Sequence, residues 1–286
     1  MNRIIQLILL LAILLMNCVG PKKAVSRQDD VYGSRAYRYF LDGDMRRAIE
    51  TYKNGFAAAR KIDNGVGAAR CLSNIGRAYY EFGQSDSAAL YFAKAHEEFV
   101  IFADGNEASR SAAFLALCFA SAGDEGQARK WFSTALESGN KYIGNDKRKR
   151  LENDHYHTVT KAMIDFRLMS KVNDESALDA ALTFYAKKKD HSFLSTIYSL
   201  KADIEYSKGN CAAAIRYLND ALSSIETSNE KYKRSRTLLR MSTISFCAGD
   251  EKAGKHYYER ALDCSPRGVA VPAVEEVSSC NNGRCR

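Results

Sequence analysis

Residues 71–95, CLSNIGRAYYEFGQSDSAALYFAKA, contain two amphipathic helical patterns separated by a short polar break at Gly83. The apolar side chains of each pattern recur at the i, i+3, i+4, i+7 spacing that places them on one face of a helix. They are Leu72, Ile75, Gly76 and Tyr79 in the first pattern and Ala88, Tyr91, Phe92, Ala95 and Phe99 in the second. A hairpin of two such helices cannot bury both apolar faces alone, whereas stacked copies of it can.

This hairpin recurs along the chain with a period of 40 residues. Glycines in polar breaks are spaced by 40, 40, 86 and 40 residues, at Gly43, Gly83, Gly123, Gly209 and Gly249. Five positions after each glycine stands a small residue: Ala48, Ala88, Ala128, Ala214 and Gly254. The 86-residue gap would hold one degenerate unit, with helices through Val159–Phe166 and Ala177–Phe184 and a turn near Asn173. No proline occurs between Pro21 and Pro266, so the sequence predicts an all-α body of about six antiparallel helix pairs.

The second unit resembles a known repeat family. Its run Asn74-Ile75-Gly76-x-x-Tyr79-x-x-x-Gly83, followed by Ala88, Phe92 and Ala95, is similar to the tetratricopeptide repeat pattern. The resemblance implies a right-handed superhelical solenoid that binds other proteins. Because the usual tetratricopeptide period is about 34 residues, HEAT-like repeats with a period nearer 40 are the alternative architecture. The small residues at fixed offsets favour the tetratricopeptide interpretation.

The first 18 residues have the build of an export signal. A positive start, Met1–Arg3, precedes the apolar run Ile4–Met16, which is short for a membrane-spanning helix. The run ends in Leu15-Met16-Asn17-Cys18, which resembles a bacterial lipobox and implies lipidation of Cys18. Plain secretion and an uncleaved membrane anchor are the alternatives. We therefore expect a signal peptide at 1–18, a linker at 19–31, the solenoid at 32–266 and a flexible tail at 267–286.

No motif for catalysis or for nucleic-acid binding occurs in the sequence. The net charge of +8 is spread along the helices, which favours a solvated basic surface. There is no phosphate-binding glycine loop, nucleophile elbow or zinc-binding helix motif. His155 and His157 would point to nearly opposite sides of a helix, so we interpret them as surface residues, and Lys147–Arg150 as a solvated loop. The sequence predicts no enzyme, no cofactor, no metal site and no small-molecule substrate.

Export would place the cysteines in an oxidising compartment. Cys280 and Cys285 flank the turn-prone segment Asn281–Arg284 and are the first candidates for a local disulfide. Antiparallel packing of neighbouring helices would also bring Cys211 close to Cys247, which is an alternative bridge. The cysteines inside the repeats are otherwise expected to behave as small buried apolar residues.

Tetratricopeptide-repeat proteins commonly bind ligands on the concave surface lined by their first helices, and the resemblance implies the same surface here. On it we place Tyr37, Arg70, Asn74, Arg77, Tyr80, Arg110, Phe114, Arg236 and Arg240. Arginines interleaved with aromatic residues suit acidic or carboxylate-bearing peptides, although an ordinary hydrated helix face is the alternative. The carboxylate clamp of chaperone adaptors is absent, because its positions would be occupied by Gly33, Tyr37, Arg77, Ala113 and Leu117, none of which matches.

These features predict a non-catalytic protein–protein interaction scaffold in the bacterial cell envelope. We expect it to be lipid-anchored and to face the periplasm, with a secreted or periplasmic soluble protein as the alternative. Its expected partners are other proteins or acidic peptides, and the membrane through the lipid anchor, but not nucleic acid. The alternative function is the extracytoplasmic sensory half of a signalling system whose output domain is absent or supplied by a partner.

Overall fold

The computed structural model describes residues 22–143, 146–169, 172, 175–265 and 271–278. These residues form helices joined by short turns, with no β-strand among them. The helices are α1 Lys22–Leu41, α2 Met45–Lys61, α3 Gly65–Glu81, α4 Ser85–Ile101, α5 Gly105–Ser121, α6 Glu125–Ile143, α7 Lys147–Arg167, α8 Glu175–Lys188, α9 His191–Ser207, α10 Cys211–Ser228, α11 Lys231–Cys247, α12 Glu251–Asp263 and α13 Val274–Ser278. Helices α1 to α12 pack as six consecutive antiparallel pairs, which confirms the predicted solenoid. Within this part of the chain, no helix is both long enough and apolar enough to span a bilayer.

The 40-residue period follows from the lengths of the helices and turns. Helices α2 and α3 each contain 17 residues. The turns that follow them, 62–64 and 82–84, contain three residues each. A 17-residue helix is about 25 Å long at about 1.5 Å per residue. The residues beyond the usual tetratricopeptide period therefore lengthen both helices of a pair and leave the turns short.

The five predicted turn glycines lie between the two helices of five pairs. Their φ angles are 83°, 79°, 76°, 84° and 83° at Gly43, Gly83, Gly123, Gly209 and Gly249. Glycine adopts this left-handed conformation without a steric penalty. The next helix is then capped where the following residue is an aspartate, as at Asp44, whose side chain accepts a hydrogen bond from the Arg47 amide at 3.1 Å. These turns are confirmed, and the turn near Asn173 lies between α7 and α8, although Asn173 itself is outside the described residues.

The turns between successive pairs use the same backbone shape without glycine. Four of them place a non-glycine residue at a φ of 55–58°, namely Asp63, Ala103, Lys189 and Asn229. The side chains of Asn64, Asp104 and Asp190 then cap the next helix. These left-handed residues differ in type from one turn to the next, so the sequence pattern of the repeats does not predict them.

Small residues allow helices to approach each other closely. At Gly76 in α3, an added Cβ would lie 2.9 Å from Cδ1 of Phe92 in α4, closer than a real contact allows. Phe92 is fully buried and stacks on Phe114 of α5, with ring centroids 4.9 Å apart. Gly254 in α12 has the same relation to Phe246 in α11, where the added Cβ would lie 2.7 Å from the ring. The recurrent small residues therefore mark where helices of a pair meet.

Three expectations about segments outside the regular repeats are wrong. Helix α1 begins at Lys22, so residues 22–31 are helical and not a linker, and they contain no glycine or proline that would interrupt the helix. The predicted tail contains helix α13, which packs against α11 and buries Val277. The cluster Lys147–Arg150 forms the first turn of α7, because the Asp146 side chain caps that helix by accepting from the Arg148 and Lys149 amides at 3.0 and 3.1 Å.

The first and last pairs of the solenoid touch each other. The rings of Phe40 in α1 and Tyr232 in α11 meet edge to face, with centroids 4.9 Å apart. The Lys231 ammonium group donates to Asp42 at 2.7 Å. The Arg236 guanidinium group also reaches the second pair, where it bonds to Glu81 of α3 at 3.1 Å. We call these three contacts the clasp; it closes the concave side, so that the first helices surround a common interior.

Candidate functional site

The interior is lined by side chains from first helices of different pairs. Arg167 of α7 donates to the Tyr80 hydroxyl of α3 at 2.6 Å, a contact that skips the intervening α5. The lining residues on which the following paragraphs depend are Arg77, Tyr80, Arg110, Phe114, Tyr156, Arg167 and Arg240. Five of these seven belong to the predicted concave surface.

Tyr80 is held from two sides. Its ring meets Phe114 edge to face with centroids 5.7 Å apart, and the Arg167 guanidinium carbon lies 5.8 Å from its ring centre. Burial raises the pKa of Tyr80 to about 12, so the phenol stays neutral at physiological pH. Tyr80 and Phe114 thus present a fixed aromatic surface beside a cation.

Arg110 and Arg240 have carboxylate partners. Arg110 of α5 lies 3.8 Å from Glu152 of α7, and its guanidinium carbon is 5.4 Å from the ring centre of Tyr156. Arg240 of α11 pairs with Asp203 of α9 and donates to the Ser199 carbonyl. Burial, and then the nearby charge of Arg167, lower the pKa of Arg240 to about 10, so that this group remains protonated at neutral pH.

Arg77 and Arg167 lack such partners. Neither forms an ion pair with any described residue, and Arg77 lies over the ring of Phe40 at 5.4 Å from its centre. Arg167 donates to the Tyr80 hydroxyl and, at 3.4 Å, to the Met163 carbonyl. Glu81, one helical turn after Arg77 on α3, interacts electrostatically with it but is already paired with Arg236. A partly buried cation whose charge is not fully matched costs free energy. The interior therefore carries excess positive charge, which an anionic ligand would neutralise.

The remaining predicted surface residues have different positions. Arg70 is exposed and lies two turns before Arg77 on the same face of α3, with the half-buried Asn74 between them. Tyr37 is 48% exposed and stacks on Phe40. Arg236 is not free on the concave surface, because it is bound to Glu81 in the clasp. The interior is built around Arg77, Arg110, Arg167 and Arg240.

Two interior residues were missed from the sequence. Tyr156 and Arg167 belong to α7, the first helix of the degenerate pair, which lacks a turn glycine. The only available signal was their spacing of 11 residues, three helical turns, which puts them on one face of that helix.

The comparisons with known proteins agree with the helical-repeat fold. Residues 30–97 match the model of the tetratricopeptide repeat family. These residues are tetratricopeptide repeats. The family consists generally of protein–protein interaction scaffolds without catalytic activity. No curated protein sequence matches the chain.

Solved structures extend the tetratricopeptide likeness over most of the chain. The crystal structure of BtubC (BKLC) from P. vanneervenii is 16% identical, with a TM-score of 0.50, and the match covers 80% of this chain and 97% of that one. A Rap protein, crystallised in complex with competence and sporulation factor, is 13% identical, with a TM-score of 0.56. That match covers 84% of this chain and 76% of the Rap chain. At such identities the likeness establishes the fold alone.

His157 of α7 is buried, contrary to the expectation of a surface residue. The Ser109 hydroxyl donates to the Ala135 carbonyl at 2.7 Å, so His157 Nε2–H donates to the Ser109 oxygen at 3.0 Å. His157 Nδ1 then accepts from the Asn153 amide at 3.1 Å. Because Nε2 carries a proton, it cannot take one from the serine. This Ser–His–Asn group therefore joins α5, α6 and α7 structurally.

Cys211 and Cys247 are not bridged to each other. Cys247 is in a disulfide, whereas Cys211 is a free thiol packed in the apolar cluster around Leu218, so the alternative bridge between them is wrong. Cys18, Cys280 and Cys285 lie outside the described residues. Within the described ranges no three histidine, cysteine or acidic side chains are grouped as a metal site would require.

Proposed function

We propose that this protein is a non-catalytic scaffold of the bacterial cell envelope that binds acidic segments of partner proteins in the interior. The observation that carries the proposal is the pair Arg77 and Arg167, neither of which forms an ion pair with a described residue. Arg167 donates to the Tyr80 hydroxyl, and Arg77 lies over the ring of Phe40. The forked donors of arginine suit a carboxylate, and the aromatic rings of Tyr80 and Phe114 offer apolar contact to a neighbouring side chain. The Rap structure, a complex with competence and sporulation factor, supports ligand binding by this type of fold.

Substituting Arg77 and Arg167 together by alanine should abolish most partner capture. A hydrogen bond to a charged group contributes about 1.5–3 kcal/mol, so we expect affinity to fall at least about tenfold. The measurement is capture of solubilised envelope proteins on the immobilised chain, followed by titration of the purified partner at low and high salt. The matched control is the exposed pair Arg148→Ala and Arg216→Ala. Equal capture by both double variants would assign binding to another surface.

Anchoring is the second part of the proposal. The lipobox-like segment Leu15-Met16-Asn17-Cys18 supports lipidation of Cys18 and attachment to a bacterial membrane facing the periplasm. Cys18→Ala should move the protein from the membrane fraction to the soluble fraction and prevent incorporation of labelled fatty acid. Cys211→Ala, which changes a cysteine within the repeats, should do neither. Absence of label on the wild-type protein would favour plain secretion.

A sensory role is the second candidate function. Two observations favour it: the clasp provides a contact that can open, and the fold is similar to that of a Rap protein crystallised with a factor. A receptor would separate α1 from α11 when its ligand binds and would pass that change to a partner carrying the output domain. A scaffold would bind with the clasp closed.

A further inference from the structure

A cavity of about 310 Å³ lies on the outer side of the first two pairs, between α2, α3 and α4. Its walls include the apolar side chains Phe56, Leu72, Ile75 and Tyr91. Leu72 and Ile75 are almost fully buried by the surrounding helices. The volume is at the lower end of the range of about 300–1,000 Å³ that is typical of small-molecule sites.

The charged side chains around the cavity are Lys53, Arg60, Lys94, Glu97 and Glu98. Arg60 is paired with Glu98, so these two charges neutralise each other. Lys53 and Lys94 form no ion pair with any described residue, and the Lys94 ammonium group lies 6.0 Å from the ring centre of Tyr91. Glu97 is exposed and contributes one negative charge to the same rim. Three cations against two carboxylates leave the rim with one net positive charge.

We propose that this cavity is a second binding site, for a small organic acid with an apolar body. The apolar body would be covered mainly by the half-buried rings of Phe56 and Tyr91, which remove its surface from water. The acid group would remain at the rim beside Lys53 and Lys94, partly hydrated. Charge complementarity selects an anion over a neutral molecule of the same shape.

The cavity is independent of the interior. Ile75 and Arg77 are two positions apart on α3, a rotation of about 200°, so their side chains point to nearly opposite sides of the helix. One therefore faces the cavity and the other the interior. A ligand in the cavity neither contacts Arg77 nor depends on the proposed binding of partners.

Anilinonaphthalene sulfonate, a fluorescent dye with an aromatic body and one acid group, tests this site on the full chain. Phenylnaphthylamine is its neutral counterpart. We expect one dye to bind per chain, and Lys53→Gln with Lys94→Gln to weaken its binding about tenfold, since exposed ion pairs contribute up to about 1 kcal/mol each. Glu97→Gln should have the opposite effect and tighten it. The neutral dye should respond to neither change.

Two controls make the result decisive. Lys130→Gln with Lys252→Gln removes two exposed lysines on α6 and α12 and should leave binding of the sulfonate unchanged. The interior variant with Arg77 and Arg167 replaced by alanine should also bind it normally. Unchanged affinity in the Lys53 and Lys94 variant, or lost binding in the interior variant, would overturn the proposal while leaving the proposed scaffold function to its own test.

Discussion

Replacing Gly76 by leucine should lower the free energy of unfolding by about 3 kcal/mol, the upper end of the usual cost of overpacking. Even the Cβ of the new side chain would lie 2.9 Å from the ring of Phe92. That ring cannot move away, because it is fully buried and stacked on Phe114 with centroids 4.9 Å apart. Chemical denaturation of the purified variant, followed by circular dichroism at a helical wavelength, measures the change.

Gly33 in α1 provides the matched control. A Cβ added there meets no atom within 4 Å, so the substitution introduces a helix-favouring residue without a clash. Gly33→Leu should therefore leave the protein equally stable or stabilise it by up to about 1 kcal/mol. Equal stability of the Gly76 and Gly33 variants would mean that α3 and α4 do not meet as closely as described.

The second large effect concerns His157 and pH. Burial, and then the charge of Arg110, lower the pKa of His157 from 6.5 to about 4. Between these two pH values the unfolded chain binds a proton on this residue and the folded chain does not. The free energy of unfolding should therefore fall by about 3 kcal/mol from pH 6.5 to pH 4 through this residue alone, and no further below.

Comparison with His157→Gln isolates this contribution from those of the carboxylates, which titrate in the same range. The variant should be less stable at neutral pH, because it loses contacts to Ser109 and Asn153, but its stability should depend less on pH. His256→Gln, at an exposed position on α12, should follow the wild-type profile. Parallel profiles of wild type and His157→Gln would contradict the assignment of a neutral buried imidazole.

The repeat body could be predicted from the sequence because its determinants are local. Gly43 and Gly83 fix the left-handed turns, and residues such as Gly76 and Ala88 fix where two neighbouring helices meet. Each of these is specified within one hairpin and repeats at a constant offset. The turns at Asp63 and Ala103 were not predicted, because these turns share a backbone conformation but not a residue type.

The site could be predicted only in part, because its contacts depend on how several pairs rotate relative to one another. Arg77 and Tyr80 were placed on the concave surface from their positions in α3. Their neighbours Phe40 and Arg167 come from other pairs. Small rotations between successive pairs add up along the chain, and the residue spacing within one repeat does not predict their sum. The burial of His157 had a local signal that was overlooked: Asn153 stands four residues before it on the same helix. The close approach of Gly139, where an added Cβ would lie 2.7 Å from the Asn153 amide, is seen only in the structure.

The contact between the first and last pairs changes how the molecule can lose its structure. In an open array of repeats, a terminal unit has one neighbour only and detaches first, so that melting proceeds inward from the ends. Here Phe40 and Tyr232 give each terminal pair a second neighbour, although 192 residues separate them in sequence. No helix pair is then less stable merely because it lies at an end of the array. The chain should behave less like a one-dimensional array and more like a globular domain, with the repeats unfolding together in a single cooperative transition.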